Sequence, residues 1–362
     1  MQTKKTTIIS GVPRTSVMVA ALRTLNTNSF IKEQLEKDEK LDAHLLPYYE
    51  NIYKKENFVS KTKLSVYDPY ACFFSSTEDS KTIILNSLDK IAESCPKVFE
   101  TQMFKDHLID SGLPADLTVD GMINIIKDSS PLKAWSLVSF DSFNNHMALR
   151  TKFIDDYVLS NIDKYQQFVI LGAGLDTRAL RMPFSNSTTV WEIDFPETFE
   201  YKETILKEAV KIIPPISQAR NIHISGNLAG NNEWISKLEE SGFNKNKPTL
   251  WILEGLLMYI SNEDIEILMN QISSISPTNS TMLIQTMSEE YNETSKVQTM
   301  FTSPLKDEFK SSTINPEQYL IKCGFTKEIK TFNEPDLEKL YLSPQSTEVG
   351  CSALTGFTIG YK

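Results

Sequence analysis

Phe168-Val-Ile-Leu-Gly-Ala-Gly-Leu-Asp-Thr-Arg178, with Val190-Trp-Glu-Ile-Asp-Phe-Pro196 close behind it, is the stretch that decides the fold. The opening apolar residues suit a strand buried on both faces. Gly172 and Gly174 allow a tight turn into a helix, and 190–194 reads as a second strand with an acidic end. That order builds a pocket for an adenosine-containing cofactor. Glycines let a ligand approach the backbone, and an acid about 20 residues on holds ribose hydroxyls. Asp194 lies 20 residues after Gly174. A dinucleotide fingerprint wants a third glycine at position 177, where Thr177 stands. The pattern therefore disfavours a pyrophosphate on the helix N-terminus and favours a cofactor without phosphates.

Outward from that stretch, strands are expected at 168–171, 188–194, 221–225, 249–253, 281–287, 325–332 and 356–361. Helical signals lie between them. Ser261 with Asp264 makes a capping box, and Ile265, Leu268, Met269 and Ile272 follow as an apolar stripe. Asn315 is expected to cap a helix opened by Pro316 and closed by Gly324. The polar run 288–313 reads as a helix plus a connection over the site. Alternating strands and helices from about 146 onward signal an α/β unit with a mostly parallel sheet.

Residues 1 to about 145 lack strong strand signals. They carry helical patches at 17–22 and 31–41, and loop-like polar pieces at 75–80 and 128–131. The expected organisation is a helical cap or substrate lid over 1–145 and a cofactor-binding core over 146–362.

Composition narrows the function classes. The 362 residues are 40% hydrophobic, enough to bury a sizeable core, and carry a formal net charge of −10. An acidic chain is a poor general nucleic-acid binder, because displacing counterions from phosphates needs a basic face. Cys72, Cys95, Cys323 and Cys351 form no C-x-x-C pair, which fits reduced thiols in a cytoplasmic protein. His44, His107, His146 and His223 stand far apart, so no metal site is expected. No stretch approaches the ~18 apolar residues of a membrane span. The run after Lys4 and Lys5 is too broken for a signal-peptide core.

The string Leu171-Gly-Ala-Gly-Leu-Asp-Thr-Arg178 does not stand alone. Arg150-Thr-Lys-Phe-Ile-Asp-Asp156 precedes it, and Glu192-Ile-Asp-Phe-Pro196 is followed by Tyr201-Lys202. Pro248-Thr-Leu-Trp-Ile-Leu-Glu-Gly-Leu-Leu-Met-Tyr259 comes later, and Asp68-Pro-Tyr-Ala71 lies far upstream. In this order the stretches resemble the motifs of the leucine carboxyl methyltransferase family. That family includes bacterial S-adenosylmethionine-dependent enzymes acting on polyketide carboxylates. The good matches cover about 146–290. The resemblance implies an α/β fold of the class I methyltransferase type: a Rossmann-like sheet of about seven mostly parallel strands with an N-terminal helical cap. It also implies S-adenosyl-L-methionine as the cofactor.

Under that resemblance Gly172, Ala173, Gly174 and Asp176 border the cofactor's methionine portion. Arg150 pairs with its α-carboxylate, a contact that is strong and orienting. By composition alone Arg150 reads as a surface helix residue; the resemblance reverses that. Asp194 accepts from the ribose hydroxyls, although Glu192 shares its strand face and competes for the role. Asn227-Leu228 stands where the family carries Asp-Leu against the adenine, and asparagine keeps a carbonyl acceptor. Glu254, costly to bury unpaired, meets the cofactor's amino group. Tyr259 either packs or aims its hydroxyl at the reacting carboxylate. Arg178 and Arg181 are substrate-side cations or surface charges; Arg181 reads as the latter and Arg178 stays open.

Methyl transfer from a sulfonium is an in-line displacement. A carboxylate nucleophile, with a pKa near ~4, is already ionised at neutral pH and needs no dedicated base. Catalysis is then positioning and exclusion of water. Acceptor choice falls to residues 1–145 and 288–313. Within them 45–53, Leu-Leu-Pro-Tyr-Tyr-Glu-Asn-Ile-Tyr, is either a lid over an apolar substrate or core packing. Arg14 to Arg23 offers a further cofactor contact. The expected activity is O-methylation of a small-molecule carboxylate, with no nucleic-acid or membrane partner. The alternatives are methylation of a protein C-terminal carboxylate, a nicotinamide-dependent oxidoreductase, and a non-catalytic cofactor-binding protein.

Overall fold

The computed structural model describes residues 13–27, 66–94, 96–139, 141–230, 232–289, 308–341 and 355–362. The runs 31–41 and 45–53, and most of 288–313, lie outside the described residues. The chain divides into two compact units. One comprises Met1–Lys152, Tyr201–Pro214 and Thr294–Asp307; the other comprises Phe153–Glu200, Pro215–Glu293 and Glu308–Lys362.

The described residues of the first unit form helices and no strand. They are α1 (Pro13–Thr27), α2 (Ala71–Ser75), α3 (Glu78–Ser94), a 3-10 turn (Pro96–Glu100), α4 (Gln102–Asp110), α5 (Val119–Asp128), α6 (Pro131–Val138), the first half of α7 (Asp141–Asn161) and the larger part, from Tyr201, of the helix Pro196–Ile212. Short hydroxyl side chains open several of them. Thr101 accepts the Phe104 amide, Thr118 the Gly121 amide and Ser130 the Lys133 amide, each satisfying a donor that the helix leaves orphaned.

The polar run 75–80, expected as a loop, is a helix end and a helix start. Ser75 Oγ donates to the Ala71 carbonyl at 3.1 Å, and Thr77 Oγ1 accepts the Ser80 amide at 3.1 Å. Hydroxyl side chains satisfy backbone groups equally in loops and at caps, so composition alone did not separate the two.

The Asp68-Pro-Tyr-Ala71 element is built into this unit. Asp68 is fully buried, accepts from Arg23 Nε at 2.8 Å, and takes the Tyr70 and Ala71 amides at 3.2 Å each. Tyr70 donates its hydroxyl to the Ile213 carbonyl at 2.9 Å, and burial pushes its phenol well above the usual range.

The second unit carries a seven-stranded sheet. Its strands are β1 (Gln167–Leu171), β2 (Thr189–Asp194), β3 (Arg220–Ser225), β4 (Thr249–Leu253), β5 (Thr281–Met287), β6 (Lys327–Asn333) and β7 (Thr355–Tyr361), in the order β3-β2-β1-β4-β5-β7-β6. Strands β1 to β5 pair in parallel, while β7 runs antiparallel to both neighbours. All seven expected strands are present. Every residue of β1, β4 and β5 is buried, which is why Phe168–Leu171 and Leu250–Leu253 read as continuous apolar runs; β5 buries Thr281, Gln285 and Thr286 among its apolar residues.

Between the strands come α8 (Arg178–Arg181), α9 (Pro196–Ile212), α10 (Glu233–Glu240), α11 (Asn262–Ser274), α12 (Glu317–Lys322) and α13 (Glu334–Tyr341). Val169, Trp191, Trp251 and Met282 from the sheet share one core with Trp234 of α10 and the Ile265, Leu268, Met269 and Ile272 stripe of α11. Each such side chain contributes about 1.5–3 kcal/mol by leaving water. The expected cap of α11 is in place: Ser261 Oγ accepts the Asp264 amide at 3.1 Å.

The expected cap of α12 is not. Pro316 takes the cap position with helical angles and no side-chain bond. Asn315 contributes its carbonyl to the Gln318 amide at 3.1 Å, while its own amide donates to Thr313 Oγ1 at 3.1 Å. Gly324 ends this stretch at φ +84°, a left-handed conformation that glycine adopts without penalty. Among the described residues no helix is long and apolar enough to cross a membrane.

Candidate functional site

From β1 the chain moves outward to β2 and β3, then returns to lay β4 against the other side of β1. Open parallel sheets take ligands outside the carboxyl ends of the strands at such a reversal. Here β1 runs into Gly172, β2 ends at Asp194, β3 runs into Gly226 and Asn227, and β4 runs into Glu254. The fold thus brings Gly172, Ala173, Gly174, Asp176, Asp194, Asn227, Leu228 and Glu254 to one edge of the sheet.

The turn after β1 depends on its glycines. Gly172 has φ +66° and Gly174 φ +50°, in the region that L side chains avoid. A Cβ at Gly172 would also stand 2.9 Å from Leu256 Cδ1. The Gly172 and Ala173 amides both donate to the Ile193 carbonyl, at 2.9 and 3.2 Å, so the turn hangs on the end of β2.

Asp194 binds the same turn with its side chain. Its Oδ2 accepts the Gly174 amide at 2.7 Å and its Oδ1 the Phe195 amide at 2.7 Å. Glu192 differs. It is fully buried, accepts from Asn221 Nδ2 at 3.1 Å, and lies 3.8 Å from the His223 Nε2, whose ring stacks on Phe199. Of the two acids, Asp194 is the one left partly exposed at the strand end.

Asn227 is exposed, and its Oδ1 accepts the Ala229 amide at 3.0 Å. Leu228 is buried in the core beside it. Tyr259 closes a 3-10 turn, Leu257–Tyr259, and its ring lies 5.4 Å from that of Phe309. The turn's carbonyls hold the returning chain: Met258 accepts the Lys310 amide and Leu257 the Ser311 hydroxyl, both at 2.7 Å. Phe309 was not legible beforehand, because it sits in a polar run and is brought to Tyr259 only by this pairing.

Arg181 departs from its expected surface position, and the open question of Arg178 is answered by burial. Arg181 is 2% exposed and not a surface charge; its Nη1 and Nη2 grip Asp155 at 2.7 and 2.9 Å. Arg178 is equally buried. It donates to Asp155 Oδ1 through Nε at 2.7 Å, to Glu254 Oε2 through Nη1 at 2.7 Å, and to Asp176 Oδ2. Burial opposes its charge, but Asp176, Glu254 and Asp155 outweigh that and hold it protonated well above the ordinary range. Residue type suggested exposure; the acid that buries Arg181 lies 26 residues away in sequence.

Arg150 of the expected set and Lys202 of the motif belong to the first unit. Arg150 lies on the part of α7 in the first unit, with Nη1 3.9 Å from Met147 Sδ. Lys202, on α9, also belongs to the first unit and is buried.

The profile of the leucine carboxyl methyltransferase family matches residues 60–273, more than half of this 362-residue chain. A Mycobacterium avium protein, provisionally named an S-adenosyl-L-methionine-dependent methyltransferase, is 36% identical over 167 residues; the match covers 45% of this chain and 51% of that protein. A Mycobacteroides abscessus protein with the same provisional name is 35% identical over 131 residues, covering 36% and 42%. The chain spans about half the length of these curated relatives. Among solved structures, a provisionally named methyltransferase from Thermobifida fusca overlaps 74% of this chain and 94% of its own, with TM-score 0.46 and 15% identity.

Proposed function

The chain belongs to the leucine carboxyl methyltransferase family, and we propose that it moves the methyl group of S-adenosyl-L-methionine onto a carboxylate oxygen of a small molecule. The observation that carries this reading is the gathering of Asp176, Asp194 and Glu254 around a glycine turn at the carboxyl edge of the sheet. A pyrophosphate would meet these acids, and the helix after the turn, α8, has only four residues with which to offset its charge. A cofactor with a cationic sulfur and an ammonium group suits the same acids.

The bound cofactor supplies an electrophilic methyl group. Asp194, steadied by the Gly174 amide, accepts from the ribose hydroxyls. Glu254 receives the α-amino group. The turn at Gly172, Ala173 and Gly174, closed by Asp176, admits the methionine portion against backbone, and Asn227 and Leu228 border the adenine. Arg150 pairs with the α-carboxylate, as the family motif implies. The acceptor carboxylate arrives ionised, so no residue has to take its proton. Tyr259 donates its hydroxyl to the acceptor and leaves the other oxygen to react. What the protein contributes is orientation and the exclusion of water. We assign acceptor choice to residues 1–145 and 288–313.

Calorimetric titration with S-adenosylmethionine, S-adenosylhomocysteine and NAD tests the reading. Both sulfur compounds should bind and NAD should not. Absence of binding by both sulfur compounds would overturn it. Transfer of a labelled methyl group to a panel of carboxylic acids should then give base-labile esters; a base-stable product would point to another nucleophile.

A further inference from the structure

Arg178 is a buried cation at the proposed cofactor edge, and the reaction as described leaves it without a role. Its guanidinium is held from behind. Arg181 clamps both oxygens of Asp155, at 2.7 and 2.9 Å, and Asp155 Oδ1 accepts from Arg178 Nε at 2.7 Å. A guanidinium is planar with its donors in fixed directions, so pinning Nε sets where Nη1 points. Nη1 points to Glu254 Oε2 at 2.7 Å and to Asp176 Oδ2. The Arg178 amide adds a bond to Asp176 Oδ1 at 2.6 Å. One acid follows β1 and the other follows β4, so a single cation ties the two strand ends that flank the reversal of strand order.

Glu254 hangs on a flexible stem and its side chain is only 10% exposed. An acid so placed, without a cation to pin it, samples several rotamers. Arg178 Nη1, 2.7 Å from Oε2, holds that carboxylate in one place. We infer that Arg178 is a positioning residue: it sets the Glu254 carboxylate to receive the α-amino group of the cofactor without touching the cofactor itself. This inference rests on the methyl-donor reading above.

Methylthioadenosine tests it, because this compound keeps the adenosine and the thioether of S-adenosylhomocysteine but lacks the amino-acid portion. The wild-type protein should prefer S-adenosylhomocysteine. Arg178→Gln should lose on the order of tenfold of that preference, the worth of one hydrogen bond to a charged group. Its affinity for methylthioadenosine should stay within about twofold of wild type. Equal weakening of both ligands would show a merely structural role and overturn the inference.

Arg178→Gln takes the guanidinium from buried Asp176 and Glu254, while Asp155 keeps Arg181, so circular dichroism must first show that it folds. Glu254→Gln and the double variant Arg178→Gln/Glu254→Gln carry less excess charge and keep the test open. Once Glu254 is neutral, replacing Arg178 should change S-adenosylhomocysteine affinity by less than about twofold. A further loss on the order of tenfold would mean that Arg178 acts directly on the ligand, and would also overturn the inference. If the wild-type protein binds neither compound, the donor reading itself fails, a result distinct from both.

Discussion

The Asp194 carboxylate accepts the Gly174 amide at 2.7 Å, which makes the end of β2 and the turn after β1 a single construction. The acid proposed to hold the ribose therefore also shapes the floor under the ligand. Asp194→Ala should weaken S-adenosylhomocysteine binding by about 1.5–3 kcal/mol, roughly 10- to 150-fold, for loss of a charged acceptor. Titration calorimetry reads this directly, and wild-type affinity would remove Asp194 from the site.

Gly172 stands at φ +66° with Leu256 Cδ1 2.9 Å from where a Cβ would lie. Gly172→Ala should lower unfolding stability by about 1–3 kcal/mol, combining left-handed strain with a contact that must give. Urea denaturation measures it. Adding Leu256→Ala should bring its own cavity cost yet reduce the penalty of Gly172→Ala, because only the steric part is relieved.

Tyr259 reports on the acceptor side. Tyr259→Phe keeps the ring against Phe309 and removes only the hydroxyl. Turnover should fall by about tenfold if that hydroxyl orients the acceptor, with S-adenosylhomocysteine affinity unchanged. An unchanged kcat would leave Tyr259 a packing residue.

Cys323 gives a pH signature in the second unit. Burial raises its thiol from about 9 to about 11. The folded state thus keeps a proton that the unfolded chain releases first. This contribution is fully present below pH about 9 and is lost as pH rises towards about 11. Urea midpoints should fall more steeply across that window in wild type than in Cys323→Ala. Identical slopes would show that the thiol titrates normally.

The sheet was legible because its signals are local. The run 249–253 is apolar after its first residue and follows Pro248, and 281–287 alternates Met282, Ile284 and Thr286 against Leu283 and Gln285; they are β4 and β5 with the same bounds. The capping box at Ser261 was legible for the same reason, since both partners lie within one helical turn. Caps and loops at 75–80 looked alike, because a hydroxyl serves either.

What the sequence determined by itself was the order of strands, the glycine turn and the acid 20 residues beyond it, since each is a near-neighbour pattern. Tertiary structure decided which charges act together. Arg178 is 23 residues from Asp155 and 76 from Glu254, and no local period connects them. Only the return of β4 to the free side of β1 brings the three into one buried contact. Electrostatic partnership is set by distance in space and by burial, and a linear pattern encodes neither.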